Sequence, residues 1–368
     1  MIHHRAPSRL RRLAALVAVL GLVLAACNDE PEPEAAPADD PPASDPGDDG
    51  PGDTDSADAD PGDGGVHVVA TTSILGDIVA NLVQDDGEVS VIMPPGADPH
   101  SFEPSAADAA LLRDADLVIA NGLMLEEALV TAVEAAEEEG VRIFELAAKL
   151  DPIAFDGDGP HDHDRSHDDE ERGHDDEGHD DDDGHAHGPE DPHVWFDPIR
   201  MADGVRLIAA EIAAVDDRLE PAEWEARAEA YATELLAVHE EIEALFAAVE
   251  NRQLVTNHDA LGYLAARYGF EVLGTVIPGA TTRAETDPRQ FAELIETVEA
   301  AQVPAVFAEN TDSTRLAEQL ASEVIGRGDL DVQVVRIYTD ALGEPGSGAE
   351  TYLGLLRTTA ERIADALS

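Results

Sequence analysis

After residue 65 the chain alternates short continuous apolar runs with stretches in which apolar positions recur every three or four residues. The runs Val66–Ile74, Val89–Met93, Leu117–Ala120 and Val141–Leu146 read as strands. Between them, helices are predicted over Ile74–Val83 with Ser73 as a cap, over Ser105–Asp114, and over Glu126–Glu139. Ser105 with Asp108 three residues on forms a capping box. A second series follows, with strands at Gln253–Thr256, Glu271–Ile277, Ala305–Ala308 and Val332–Tyr338 and helices between them; Thr351–Leu367 closes the chain as a helix. Short strands alternating with helices imply βα units and parallel sheets.

Two helices stand between the series, the first over 199–214. In the second, Pro221 suits the first helical position. Trp224, Ala228, Tyr231, Leu235, Val238, Ile242, Leu245 and Val249 then form one apolar stripe. Eight turns of helix span about 43 Å, enough to bridge two lobes. The predicted fold class is α/β, with two lobes, each a four-stranded mainly parallel sheet flanked by helices, joined by one long rigid helix. The expected boundaries are 66–220 for the first lobe, 221–250 for the helix and 251–368 for the second lobe.

Charge changes this picture at two places. The formal net charge is -58. Residues 28–65 carry fourteen acidic groups and no Lys or Arg, and residues 156–191 carry seventeen against Arg165 and Arg172. Neither segment has apolar surface to bury, so 27–65 reads as a solvated tether and 156–190 as a disordered loop within the first lobe. The rest, in a chain 43% hydrophobic, can build a core. So acidic a protein repels nucleic acid and attracts cations.

At the N-terminus, Arg5, Arg9, Arg11 and Arg12 precede an apolar run, Leu13–Ala26, that is too short for a membrane span. It ends Leu24-Ala25-Ala26-Cys27, with the one cysteine of the chain. Residues 1–26 are therefore read as a lipoprotein signal peptide and Cys27 as the lipidation site. The protein is expected outside the cytoplasm, lipid-anchored on the outer face of the cytoplasmic membrane or periplasmic, and monomeric. No disulfide can form within the chain.

Candidate chemistry is rich in imidazole. His161, His163, His167, His174, His179, His185 and His187 interleave with aspartate in the acidic loop and read as an accessory metal-capturing tract. Four further metal-competent side chains follow predicted elements, where α/β folds place ligands: His100, His193, His258 and Asp340. Three imidazoles and a carboxylate suit zinc and, less selectively, manganese. Ligands from distant loops have no diagnostic interval, so spacing alone does not select them. Glu309 reads either as an orienting acceptor for a ligand imidazole or as a helix-start carboxylate; Glu103 and Asp259 are weaker candidates for orientation. His239 reads as solvated surface, His67 as structural or exposed, and Trp195 and Tyr263 as packing.

Four segments carry a resemblance: Met93-Pro94-Pro95-Gly96-Ala97-Asp98-Pro99-His100-Ser101-Phe102-Glu103-Pro104-Ser105; Asp191-Pro192-His193-Val194-Trp195-Phe196-Asp197-Pro198; Thr256-Asn257-His258-Asp259-Ala260-Leu261-Gly262-Tyr263 with Arg267-Tyr268-Gly269; and Tyr338-Thr339-Asp340-Ala341-Leu342. Over nearly all of Val66–Ser368 the chain resembles the solute-binding receptors of bacterial ABC importers for zinc and manganese. The resemblance implies His100, His193, His258 and Asp340 as the ligands; the sequence by itself leaves Glu309 or water open for the fourth. It also implies two lobes bridged by a rigid helix, and an ABC permease with its ATPase as partners. Histidine at 258, where manganese-type members often carry glutamate, and the His-rich loop both favour Zn2+, with Mn2+ as the alternative. No enzyme activity is expected. An exported zinc hydrolase would need an open coordination position and a base, and the chain has neither a His-Glu-x-x-His nor a Gly-x-Ser-x-Gly pattern. Release is expected through local loop movement around His193 or Asp340.

Overall fold

The computed structural model describes residues 65–154, 190–279, 281–328 and 330–368. The signal segment 1–26, Cys27, the acidic tether and the seven loop histidines, His161 to His187, lie outside the described residues.

The described residues build two four-stranded, all-parallel sheets. The first contains β1 (Val66–Ala70), β2 (Gly87–Val91), β3 (Leu117–Ala120) and β4 (Arg142–Glu145), in the order β2-β1-β3-β4. The second contains β5 (Gln253–Thr256), β6 (Glu271–Thr275), β7 (Ala305–Glu309) and β8 (Gln333–Ile337), in the order β6-β5-β7-β8. Strand for strand, the two orders are the same. In each, the chain turns back between the first and third strands, so loops leaving them part to either side and open a crevice at their carboxyl ends.

Helices α1 (Ser73–Val83), α2 (Ala106–Arg113), α3 (Val130–Glu138) and α4 (Pro198–Val215) accompany the first sheet. Helices α6 (Gly262–Tyr268), α7 (Pro288–Ala301), α8 (Arg315–Arg327) and α9 (Tyr352–Leu367) accompany the second. Between them in sequence runs α5 (Pro221–Phe246), which packs on α4, α9 and α1. Its 26 residues extend about 39 Å at 1.5 Å per residue. It stops short of the predicted 250 because the chain leaves the helix in a turn at Ala247–Ala248; Val249 stays buried beyond it, and Phe246 rather than Leu245 closes the buried stripe.

Three other boundaries move for local reasons. The first strand ends at Ala70, because Thr72 rather than Ser73 caps α1, accepting from Leu75 N. Ser73 is freed to accept from Leu342 N, in the other half of the chain. The second strand starts and stops two residues early, leaving Ile92 and Met93 buried in the loop behind it. The helix predicted from Glu126 opens as a 3-10 turn, Glu127–Leu129, before α3 begins. The capping box at Ser105 and Asp108 forms with both bonds present.

One apolar core runs through α1, α4, α5 and α9 and reaches both sheets, joining Val68 and Leu117 to Leu254 and Phe307. Two smaller clusters cover the outer faces, one under α2 and α3 and one under α7 and α8. Asp77 of α1 adds a polar tie, accepting from Tyr352 N at the start of α9 and from the Tyr231 hydroxyl of α5.

Candidate metal centre

Each sheet contributes side chains from loops at the carboxyl ends of its strands. After β2 the chain turns through Pro94-Pro95-Gly96, with Gly96 in the left-handed region at φ 78, and enters Asp98-Pro99-His100. The Asp98 carboxylate accepts from His100 N at 3.0 Å, a local turn that fixes where the imidazole leaves the backbone. The same tripeptide recurs at Asp191-Pro192-His193, and Asp191 Oδ1 accepts from His193 N at 2.9 Å. Here the carboxylate also reaches the ring, 2.7 Å from Nδ1. Behind His193 a 3-10 turn, Val194–Phe196, leads to Asp197, which caps α4 and receives Arg267 through both oxygens.

His258 follows β5, and Asp340 follows β8. His258 is held like His193, by a carboxylate that takes both its backbone N (3.0 Å) and its Nδ1 (2.5 Å); the carboxylate is Glu309, at the end of β7. The Asp340 loop is pinned by Thr339 N donating to Asn310 Oδ1 and by Trp195 Nε1 donating to Thr339 O.

These folds converge on one buried point. His100, His193, His258 and Asp340 are 1%, 0%, 0% and 1% exposed. One nitrogen or oxygen from each lies within 4.8 Å of the others. His193 Nε2 and His258 Nε2 face each other at 3.2 Å, and Asp340 stands 3.5 Å from His258 Nε2 and 3.9 Å from both His193 and His100. Neither oxygen of Asp340 accepts a hydrogen bond among the described residues.

The electrostatics follow from burial. Desolvation holds the Asp340 carboxyl well above the usual carboxylate range, against the pull of His258. For His258, burial disfavours the imidazolium, but Glu309 and Asp340 together outweigh it and lift the ring to about 10. Burial raises Asp191 to about 7, offset in part by its bond from His193 N. With Nδ1 of both rings engaged by carboxylates, the two Nε2 atoms would present lone pairs to each other if both rings were neutral. Such an arrangement is repulsive until a proton or a cation sits between them. Tetrahedral zinc at its usual bond lengths separates neighbouring ligand atoms by about 3.3 Å. The 3.2 and 3.5 Å spacings match that edge and the 3.9 Å ones exceed it by about half an ångström, so the donor set can close on a small divalent cation.

Among the remaining sequence candidates, Glu309 lies in the site, whereas Glu103 is exposed and outside it. Asp259 donates its backbone N to Gly279 O and is half-buried. His239 is not solvated surface: it is half-buried on α5, with Nδ1 3.1 Å from the Tyr268 hydroxyl. His67 lies in β1, its Nε2 3.0 Å from Ser90 Oγ. Trp195 and Tyr263 pack, and also bond: Tyr263 donates to Asp191 O. Sequence reasoning missed Asp98 and Asp191 as orienting groups. The signal was the repeated Asp-Pro-His, since an aspartate two residues ahead can reach the histidine amide. Asn121, whose side chain donates to Pro192 O, carried no signal of that kind.

Comparison with known proteins places the chain among metal-binding relatives. The zinc-binding protein TroA of Treponema pallidum is 29% identical over 314 residues, spanning 83% of this chain and 90% of that protein. The manganese-binding lipoprotein MntA of Halalkalibacterium halodurans is 29% identical over 308 residues, spanning 83% and 89%. The solved structure of periplasmic TroA from Treponema pallidum superposes with a TM-score of 0.69 at 26% identity, over 83% of this chain and 100% of that one. The family model described as zinc-uptake complex component A, periplasmic, matches residues 68–366, and the chain belongs to that family.

Proposed function

We propose that this protein is an extracytoplasmic receptor that captures Zn2+ between its two lobes and delivers it to an ABC-type importer. His100, His193, His258 and Asp340 are the ligands, and Asp191 and Glu309 orient two of the imidazoles. The observation that carries this reading is Asp340: a fully buried carboxylate with no hydrogen bond to either oxygen among the described residues, facing three imidazoles. Without a metal, burial keeps the proton on this carboxyl well above the usual carboxylate range, and a bound cation takes that proton's place. Two nitrogens held at zinc's ligand spacing favour zinc over a metal that prefers oxygen.

The cation is cargo, and the site is built to hold it without reaction. Four protein ligands leave no open position for substrate, which argues against a hydrolase. Cys27 anchors the chain to lipid, a permease with its ATPase takes the metal, and the monomer is the working unit. The loop histidines, His161 to His187, are an accessory tract that captures zinc with modest affinity per ion.

The test is competitive binding. Zinc and manganese are offered together to the full chain and to a form lacking 156–187, and retained metal is counted by mass spectrometry. One zinc retained by the shortened form supports the reading. One manganese retained would give the site to Mn2+, and no tight site in either form would remove the receptor reading.

A further inference from the structure

Resting on the receptor reading, we propose that Thr282 is a positioning residue for metal retention, whose bond to Asp98 sets how long a bound cation stays. Asp98 accepts three hydrogen bonds. Two come from its own loop: His100 N at 3.0 Å to Oδ1 and Ser101 Oγ at 2.7 Å to Oδ2. The third crosses from the other half of the chain, Thr282 Oγ1 to Asp98 Oδ2 at 2.6 Å. Thr282 sits in the loop between β6 and α7, and that loop is braced on the His258 segment. Ile277 N donates to Asn257 O at 2.7 Å, and Asp259 N donates to Gly279 O at 3.2 Å. One hydroxyl therefore joins the segment that carries His100 to the segment that carries His258.

The other crossings near the site are of a different kind. The His193 segment and the Asp340 loop are joined by Trp195 Nε1 to Thr339 O, and the Tyr352 hydroxyl donates to Trp195 O. The Asp340 loop is further held by Gly96 N to Leu342 O and by Leu342 N to Ser73 Oγ. Each of these bonds has a backbone partner, and all but the Gly96 one are buried, so breaking the buried ones strands polar atoms. Asp98 and Thr282 are half-buried, and water can replace either partner at lower cost. The second side-chain tie from the same loop, Arg283 to Glu127, is 3.9 Å long with the arginine half exposed. Of the two bonds that tie the His100 segment across the halves, Gly96 N to Leu342 O and Thr282 to Asp98, the second lies nearer the ring and is the one made by two side chains. Opening the clasp removes one of the holds on the His100 segment, with the left-handed Gly96 as its pivot, and leaves the bonds at His193, His258 and Asp340 in place. This puts release at His100 rather than at His193 or Asp340.

The experiment measures zinc dissociation and association by stopped-flow transfer to and from a fluorescent chelator, on the full chain, for wild type, Thr282→Val and Thr282→Ser. Valine keeps the shape and removes the donor; serine keeps the donor. The expected result is a dissociation rate raised on the order of tenfold in Thr282→Val, as for loss of one hydrogen bond to a charged acceptor. Association and the metal-free melting temperature should be unchanged, and Thr282→Ser should return dissociation to the wild-type rate. Wild-type dissociation in Thr282→Val overturns the inference. So does equal acceleration in both variants, which would mean packing rather than the hydroxyl, or a melting temperature lowered equally with and without zinc. A wild-type chain that retains no zinc fails earlier, at the receptor reading itself.

Discussion

The two lobes use one topology for different ends, and a buried glutamate in each shows how. In the first, Glu126 lies where β1 and β3 part. It accepts from the Thr71 hydroxyl at 2.6 Å and from Asn121 N and Gly122 N at 2.8 and 3.1 Å. Those donors belong to the strand ends themselves, so the carboxylate knits its own loop. In the second, Glu309 lies where β5 and β7 part and takes the amide and ring of His258 instead, with Oε2 accepting no hydrogen bond among the described residues. The crevice position is the same. What differs is whether the carboxylate is saturated by strand-end donors or aimed at a histidine of the candidate site. The first lobe recovers the orienting role through Asp191, supplied by the chain segment ahead of α4 rather than by a strand end. Glu126 touches this only at a remove: it fixes Asn121, and Asn121 holds Pro192 O beside His193. Topology thus makes the crevice, and local sequence decides what lines it.

The largest expected effect breaks the site where the lobes meet. Asp340→Asn keeps shape and removes charge. It should abolish the tight site in equilibrium dialysis while leaving the metal-free melting temperature at pH 7.5 at or above that of wild type. A retained tight site would transfer the fourth position to Glu309 or water.

Next comes the glutamate pair. Glu309→Gln should weaken zinc affinity about 10–100-fold, as for loss of a carboxylate that orients a ligand imidazole. Glu126→Gln should do the reverse, losing about 1–3 kcal/mol of stability in denaturant titration because its amide meets N–H donors. Its affinity should fall less than that of Glu309→Gln. Equal affinity losses would erase the contrast between the lobes.

Proton linkage gives a third effect. Folded Asp191 keeps its proton to about 7, whereas an unfolded aspartate loses it near 3.8. Folded His258 keeps its proton to about 10 against 6.5. In both intervals the folded state binds more protons, so metal-free stability is greatest below each unfolded value and falls as pH rises through each folded one. Zinc held by His258 and by a His193 oriented on the Asp191 carboxylate would release those protons. The gap in melting temperature between zinc-loaded and metal-free protein should therefore widen from pH 5 to pH 8. A gap that narrows would contradict the assigned directions.

The smallest effect probes orientation alone. A Cβ at Gly262 would lie 2.5 Å from Asp191 Oδ2, so Gly262→Ala must push that carboxylate off the His193 ring. Affinity should fall by about tenfold or less, at the lower edge of what loss of an orienting partner costs. No change in calorimetric affinity would show that His193 is held by its backbone bond alone.

By itself the sequence determined the two βα series, the parallel sheets, the long helix and the capping box at Ser105. Each depends on periodicity or on residues within a turn of one another. The four converging side chains were legible too, but only through the resemblance of their motifs, because residues 100, 193, 258 and 340 have no local relation. Tertiary structure decided the rest. It decided that Glu309 reaches His258 and Glu103 does not, since contact across some fifty residues depends on which strands lie side by side. It ended α5 at Phe246, because core packing rather than helix propensity sets where an apolar stripe stops. It joined Thr282 to Asp98 across 184 residues, an encounter that no pattern in either segment foretells.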